Sequence, residues 1–397
     1  MTLEAVTTSG DLMRLSMGPQ HPSTHGVLRL IVDTDGEVVS RVQPDLGFLH
    51  RSIEKIGECV DWVQFVPYTD RVDYVCAMNS NHAYCTAVEA LFGTDPACAV
   101  KVPLRGEYIR VLVAELNRIS SHLVAVGAMS MDLGAYTPFL HGIAQRETVN
   151  DIFEKTCGAR LTYNYVTVGG VTHDLYVGAE DDIARFCTEL EREMLRFNRL
   201  ITTNTIFRDR CAGVGTISAE EAIGWGLVGP SLRGSGVAFD VRKAEPYGVY
   251  DRLTFDVPVG DNFAGSRGAK GDSYDRFVVR VLEILESIRI LRQCLKDMPK
   301  PGPQDKPADP DTGWQAEVKK VILRPPKGEI YHRVENPRGE TGYHLVSDGT
   351  KIPYRIKIRT GSFTGVGIFE HLMRGIMIAD IVTIIGSLDI VVPEIDR

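Results

Sequence analysis

Two imidazoles, His21 and His25, stand four residues apart in the run MGPQHPSTHGVLRL that begins at Met17, with the hydroxyls of Ser23 and Thr24 between them. Imidazole gains and loses protons near neutral pH, so two such rings beside hydroxyls could exchange protons with a bound ligand. Pro19 and Pro22 fix φ and restrict the residue before each, while Gly18 and Gly26 permit turns and close backbone approach. The competing reading is that both histidines only satisfy backbone groups of their own loop. Zinc is rejected. The histidine spacing is that of a zinc-protease helix, but Pro22 stands where that motif needs glutamate and the flanks are not helical.

A polar loop positions its side chains only if a rigid element holds its ends. The residues that follow supply a β-hairpin: Val27, Leu28, Leu30, Ile31 and Val32, a turn at Asp33-Thr34-Asp35-Gly36, then Val38, Val39 and Val42. A helical section begins between Leu49 and Val60 and continues from Asp73 to a glycine stop at Gly93. After a connector at 94–105, the most regular helix spans Gly106 to about Met129, with Ile109, Leu112, Leu116, Ile119, Leu123 and Val126 as its seam. Glu115, Arg118 and His122 share another face of that helix, which reads either as a solvated ion-pair face or as an internal polar face coupled to proton movement. Further helices are expected at Phe139–Cys157, Asp181–Asn204 and Asp272–Asp297.

The glycine pairs Gly213/Gly215 and Gly234/Gly236 lie in an irregular stretch, 205–271, and neither opens a helix with a phosphate-loop lysine, so they read as packing turns. The segment 299–313 holds five prolines and reads as a semi-rigid linker. Beyond it, GEIYHRVEN, GYHLVSDG and Tyr354–Ile358 read as strands, and Ile376–Leu388 is apolar enough to require burial. The expected fold class is α+β: an N-terminal β domain at 1–48, a central helical bundle at 49–298, the linker at 299–313, and a C-terminal α+β portion at 314–397.

Composition narrows the function. A net charge of −8 and the lack of a basic block argue against nucleic acid as a partner. The first residues carry no charged-then-apolar leader, and no run of eighteen uncharged apolar residues occurs, so a soluble cytoplasmic protein is expected, reaching a membrane only through partners. The eight cysteines (59, 76, 85, 98, 157, 187, 211 and 294) form no CxxC pair, so this chain alone is expected to hold no metal or cluster.

Longer motifs carry a resemblance. GPQHPSTHGVLRL, DLGFLHRSIEK, YTDRVDY (68–74), ELNRISSHL (115–123), MDLGAYTPF (131–139), QRETVNDIFE (145–154), NYVTVGGV (164–171), SLRGSGVAFDVRKAEPY (231–247), RGETGYHLVSDG (338–349) and IIGSLDIVVPEIDR (384–397) occur in order. The chain is similar to the 49 kDa-type subunit family of respiratory complex I, the proton-pumping NADH:quinone oxidoreductase. The resemblance implies a nickel-iron-hydrogenase large-subunit-like fold in which the metal-binding cysteine pairs are gone: GFLHRSIEK and SLDIVVPEIDR contain none.

It further implies a chamber, shared with the cluster-bearing B subunit, where quinone is reduced by electrons from that subunit's terminal 4Fe-4S cluster. The implied partners are the B and C subunits of the peripheral arm and the membrane subunit at the quinone entry, on the cytoplasmic side of the membrane. His25 and Tyr74 are implied to hydrogen-bond the quinone headgroup, within a loop of His21, Pro22, Ser23, Thr24 and Gly26, while Asp132 pairs with His25 and Arg51 lies against the cluster. Read without the resemblance, Tyr74 would be a core tyrosine, Asp132 a helix-end cap, and Arg51 a partner of Glu54 or Glu58. Many family members carry a histidine near the cluster where this chain has Thr162, which implies a cluster potential only weakly dependent on pH. The electron donor, whether NADH or ferredoxin, and the quinone type are not written in this subunit. A mainly structural docking role is the remaining alternative.

Overall fold

The computed structural model describes residues 12–20, 26–303, 306–318 and 323–397, together with the backbone strand Val6–Thr7. Strands β1 (Val6–Thr7), β2 (Met13–Met17), β3 (Arg29–Asp35) and β4 (Val38–Asp45) form an antiparallel sheet in sequential order. Leu30, Val32, Val39 and Val42 are fully buried on its inner face, as the alternation of the sequence requires. The expected hairpin is present with a tighter turn: β3 continues through Asp35, and the chain reverses at Gly36 with φ 58°. The preceding strand β2 was not expected. Its register pairs Arg14 with Asp33, whose side chains form an ion pair at 2.6 Å.

Among the described residues, five helices of sixteen residues or more, Ala77–Phe92, Leu104–Asp132, Tyr136–Cys157, Ala179–Phe197 and Ser273–Asp297, form the bundle. The Leu104–Asp132 helix runs through its centre and packs against Ala77–Phe92, Tyr136–Cys157, Ser273–Asp297 and Ile378–Leu388. Its apolar seam is buried as expected, from Ile109 to Val126. The described residues of 299–313 do not stand away from the bundle. The carbonyls of Pro310, Asp311 and Gly313 accept the amides of Leu104, Arg105 and Gly106 at 2.8, 3.1 and 3.2 Å, so this segment satisfies the donors that a helix N-terminus leaves unpaired.

Strands β5 (Val166–Thr167) and β6 (Gly170–Val171) form a small hairpin, and β7 (Gly328–Asn336), β8 (Gly339–Ser347) and β9 (Arg355–Arg359) form an antiparallel sheet on which Ala77–Phe92 packs. The Ile378–Leu388 helix buries Ile381, Ile384, Ile385 and Leu388 against the N-terminal sheet and the bundle.

Glu115, Arg118 and His122 are 0% exposed, so the solvated-face reading is wrong. Glu115 Oε1 accepts from Arg242 Nη1 at 3.0 Å and Tyr250 Oη at 2.6 Å, and its Oε2 accepts from Ser287 Oγ at 2.6 Å. His122 Nε2 lies 2.9 Å from Glu283 Oε2, and Arg233 joins Glu283 to Glu335 at 2.7 and 2.8 Å. Burial alone would raise the Glu115 carboxyl. Arg118 and Arg242 outweigh it and hold the group at about 2.

Candidate functional site

The loop histidines His21 and His25, with Pro22, Ser23 and Thr24, lie outside the described residues. The base of their loop is described. Met17 pairs with Leu30 across β2 and β3, and Gly18 packs so closely on Leu28 that a Cβ there would lie 2.3 Å from its carbonyl oxygen. Gly18 adopts φ +90° and Gly26 φ +121°, both in the region open to glycine. A Cβ on Gly26 would come within 4.0 Å of Val392 Cγ2, so the far end of the loop meets the C-terminal helix Val392–Asp396.

Tyr74 opens a short 3₁₀ turn, Tyr74–Cys76, that leads into the Ala77–Phe92 helix. It is 40% exposed, which excludes the core-tyrosine reading. Its backbone is fixed from two sides. Asp73 caps the turn by accepting the Val75 amide at 3.1 Å, and Asn117 of the central helix accepts from the Met78 amide at 3.0 Å while donating to the Val75 carbonyl at 3.2 Å.

Asp73 is itself 0% exposed, and its Oδ2 accepts from Arg338 Nη1 at 2.5 Å and from the Cys76 thiol at 2.7 Å. Arg338 also donates from Nε to the Asp389 carbonyl at 3.1 Å. Burial, reinforced by the Asp73 charge, pushes the Cys76 thiol up, so Cys76 stays protonated.

Asp132 is the last residue of the central helix and half-buried; Gly134, at φ +89°, then turns the chain into Tyr136–Cys157. A carboxylate at a helix C-terminus faces the negative end of the helix dipole, so an approaching cation is favoured there. Asn117 precedes it by fifteen residues on the same helix, about 22 Å along the axis. The backbone that holds Tyr74 and the one that holds Asp132 therefore lie far apart.

Arg51 is exposed and donates from Nη2 to the Arg71 carbonyl at 2.8 Å, while Arg71 Nη1 donates to the Pro67 carbonyl at 2.6 Å. Glu54 pairs with Lys357 and Glu58 with Lys55 and Arg355, so neither expected carboxylate takes Arg51. Beside the Arg71 guanidinium, at 3.5 Å, lies Asp70, 0% exposed, whose Oδ2 accepts from the Asn164 amide at 3.2 Å. Burial outweighs Asn81, Arg71 and Asn164 and pushes the Asp70 carboxyl up to about 7. Thr162 sits two residues from that amide and is half-buried.

Asn117, Arg338 and Asp389 escaped the sequence reading, although all three lie in quoted motifs. Among the described residues no cluster of three or more His, Cys, Asp or Glu is arranged to hold a metal ion, and no helix is long and apolar enough to cross a membrane.

The α+β fold and the capped Tyr74 turn can be set beside known proteins. The chain belongs to the family of the respiratory-chain NADH dehydrogenase 49 Kd subunit, whose family model matches residues 132–397. It is 50% identical to the NADH-quinone oxidoreductase D subunit numbered 1 of Anaeromyxobacter sp. (strain K), across 100% of this chain and 99% of that protein. The D subunit numbered 2 of the same enzyme in Sorangium cellulosum (strain So ce56) is 48% identical over 98% of this chain and 95% of its own length. The D subunit of Bacillus cereus is 44% identical over 97% and 98%.

Proposed function

We propose that this chain is the quinone-site subunit in the peripheral arm of a proton-translocating NADH:quinone oxidoreductase. The observation that carries the reading is likeness over the full length, at 44–50% identity, to proteins named as D subunits of NADH-quinone oxidoreductase. Those names also favour NADH over ferredoxin as the ultimate donor. A hydrogenase large-subunit-like fold belongs to the same reading, with B and C subunits and a quinone-entry membrane subunit as neighbours on the cytoplasmic face. This chain contributes no redox centre of its own to the proposal. Electrons come from the neighbouring subunit's 4Fe-4S cluster, and quinone is the substrate.

Within that reading Tyr74 and His25 hold the two quinone oxygens. Reduction to the quinol needs two protons, and a phenol and an imidazolium can supply them or hold the developing oxyanion. Exposure of Tyr74 on a doubly fixed turn supports this role, since a donor serves best where its position is set before the ligand arrives. Asp132 favours the charged form of His25 from the loop's other side, with His21, Pro22, Ser23, Thr24 and Gly26 shaping the loop. When the imidazolium gives up its proton, Asp132 loses its countercharge, which is the local trigger for pumping. Arg51, held by the Arg71 carbonyl, is a fixed cation for the reduced cluster.

The test is Tyr74→Phe in the assembled complex. Loss of a hydrogen bond to a developing oxyanion removes about 1–3 kcal/mol, so quinone turnover falls roughly ten- to a hundredfold. Reduction of an artificial acceptor that draws electrons upstream stays unchanged. Unaltered quinone turnover would overturn the assignment of Tyr74.

A further inference from the structure

Glu394 lies on the Val392–Asp396 helix, 0% exposed, in a pocket of charge that the reading above does not use. Its Oε2 accepts from the hydroxyl of Ser362 and from the Ser362 amide at 3.3 Å. Its Oε1 has no hydrogen-bond partner among the described residues. The charged and titratable groups around it are Asp73 and Cys76 from the Tyr74 turn, Arg338 from the β7–β8 corner, and Tyr343 from β8. Arg338 is already engaged, with Asp73 at 2.5 Å and Asp389 at 3.4 Å, while Arg280 stands 4.0 Å from Asp389.

Three carboxyls, Asp73, Asp389 and Glu394, thus face two guanidiniums. The surplus carboxylate is relieved most cheaply by a proton on the one with an unpartnered oxygen. In agreement, burial and then the Asp73 charge push Glu394 up to about 8, against the opposing pull of Arg338 and Ser362. Glu394 also sits at a mechanical junction. Asp73 is the cap of the Tyr74 turn, and Val392, on the same helix as Glu394, meets Gly26 at the end of the histidine loop.

We propose that Glu394 is a proton-operated positioning residue for the quinone site, neutral in the competent state and, once ionised, a competitor with Asp73 for Arg338. When it ionises, the proton passes to the aqueous phase and no electron moves. Arg338 is then drawn from Asp73, the cap on Val75 loosens, and the Tyr74 hydroxyl leaves its set position. The inference rests on the assignment of Tyr74 to quinone.

The experiment follows the KM for quinone in the assembled complex from below to above pH 8, with the upstream artificial acceptor as control. In the unaltered protein KM should rise about two- to tenfold as pH passes that value, the loss of one ordinary hydrogen bond. Glu394→Gln keeps an acceptor for Ser362 and cannot ionise, so this rise should vanish. Ser362→Ala removes a bond that favours the carboxylate and should move the rise to higher pH; it also covers the case in which Glu394→Gln fails to assemble. A rise that persists in Glu394→Gln, or one that stays in place in Ser362→Ala, would overturn the proposal. Unaltered protein with no rise would do the same. If Tyr74→Phe leaves KM and turnover unchanged, the quinone assignment of Tyr74 falls instead, whatever Glu394 does.

Discussion

A carboxyl removed from water gives up its proton reluctantly, and Asp70, pushed up to about 7, sits against the Asn164 amide. Its folded-state value lies above its unfolded one, so its contribution to stability is complete below the unfolded value and is lost as pH rises through about 7. Asp70→Asn should therefore lose less stability than the unaltered chain between acid and mildly alkaline pH, by a few kcal/mol at order of magnitude. Thermal unfolding of both proteins on either side of neutrality measures this, and parallel curves would exclude it. Tyr74, Asp132 and Arg51 could be singled out as candidates because long motifs surround them. Asp70 stood inside one of those motifs, but a sequence does not say which of its carboxyls lose their water.

Elements differed in how far the sequence disclosed them. The central helix was legible because about five turns of apolar residues at three- and four-residue steps have few other solutions. Its polar face was not, since Glu115, Arg118 and His122 have the same spacing whether they meet water or partners. Those partners, Arg242, Tyr250, Glu283 and Glu335, lie more than a hundred residues away in the chain. Strand β2 was missed because five residues, MRLSM, carry too short an alternation. Asn117 is the joint between the central helix and the Tyr74 turn. Asn117→Ala would leave the buried Val75 carbonyl and Met78 amide unpaired, at about 1–3 kcal/mol each. Hydrogen exchange at Met78 should accelerate while the middle of the helix stays protected; equal acceleration along the helix would mean general unfolding.

For the molecule as a whole, the bundle is organised around a buried ionic network in which Arg118, Arg233 and Arg242 face Glu115, Asp240, Glu283 and Glu335. With three guanidiniums against four carboxylates and His122 beside Glu283, this interior also favours an extra proton, and burial raises the Glu335 carboxyl in that sense. Arg233→Met would strand Glu283 and Glu335, at about 3–5 kcal/mol. A lower unfolding temperature of the chain and reduced yield of assembled complex are the expected outcome; unchanged values would mean that the network rearranges around the loss. The C-terminal helix has a consequence for how such a chain is made. Asp396 accepts the amides of Gly47 and Leu49 at 2.9 and 2.7 Å, and its carbonyl meets His50 at 2.6 Å. A ribosome delivers residues 47–50 long before residues 389–396, so the bundle can pack while the stretch leading to Arg51 still waits for its partner. A chain short only of its last residues can thus own most of its core while residues 47–50 still lack the contacts that Asp396 supplies, so under the proposed function the quinone site is the last part to be completed.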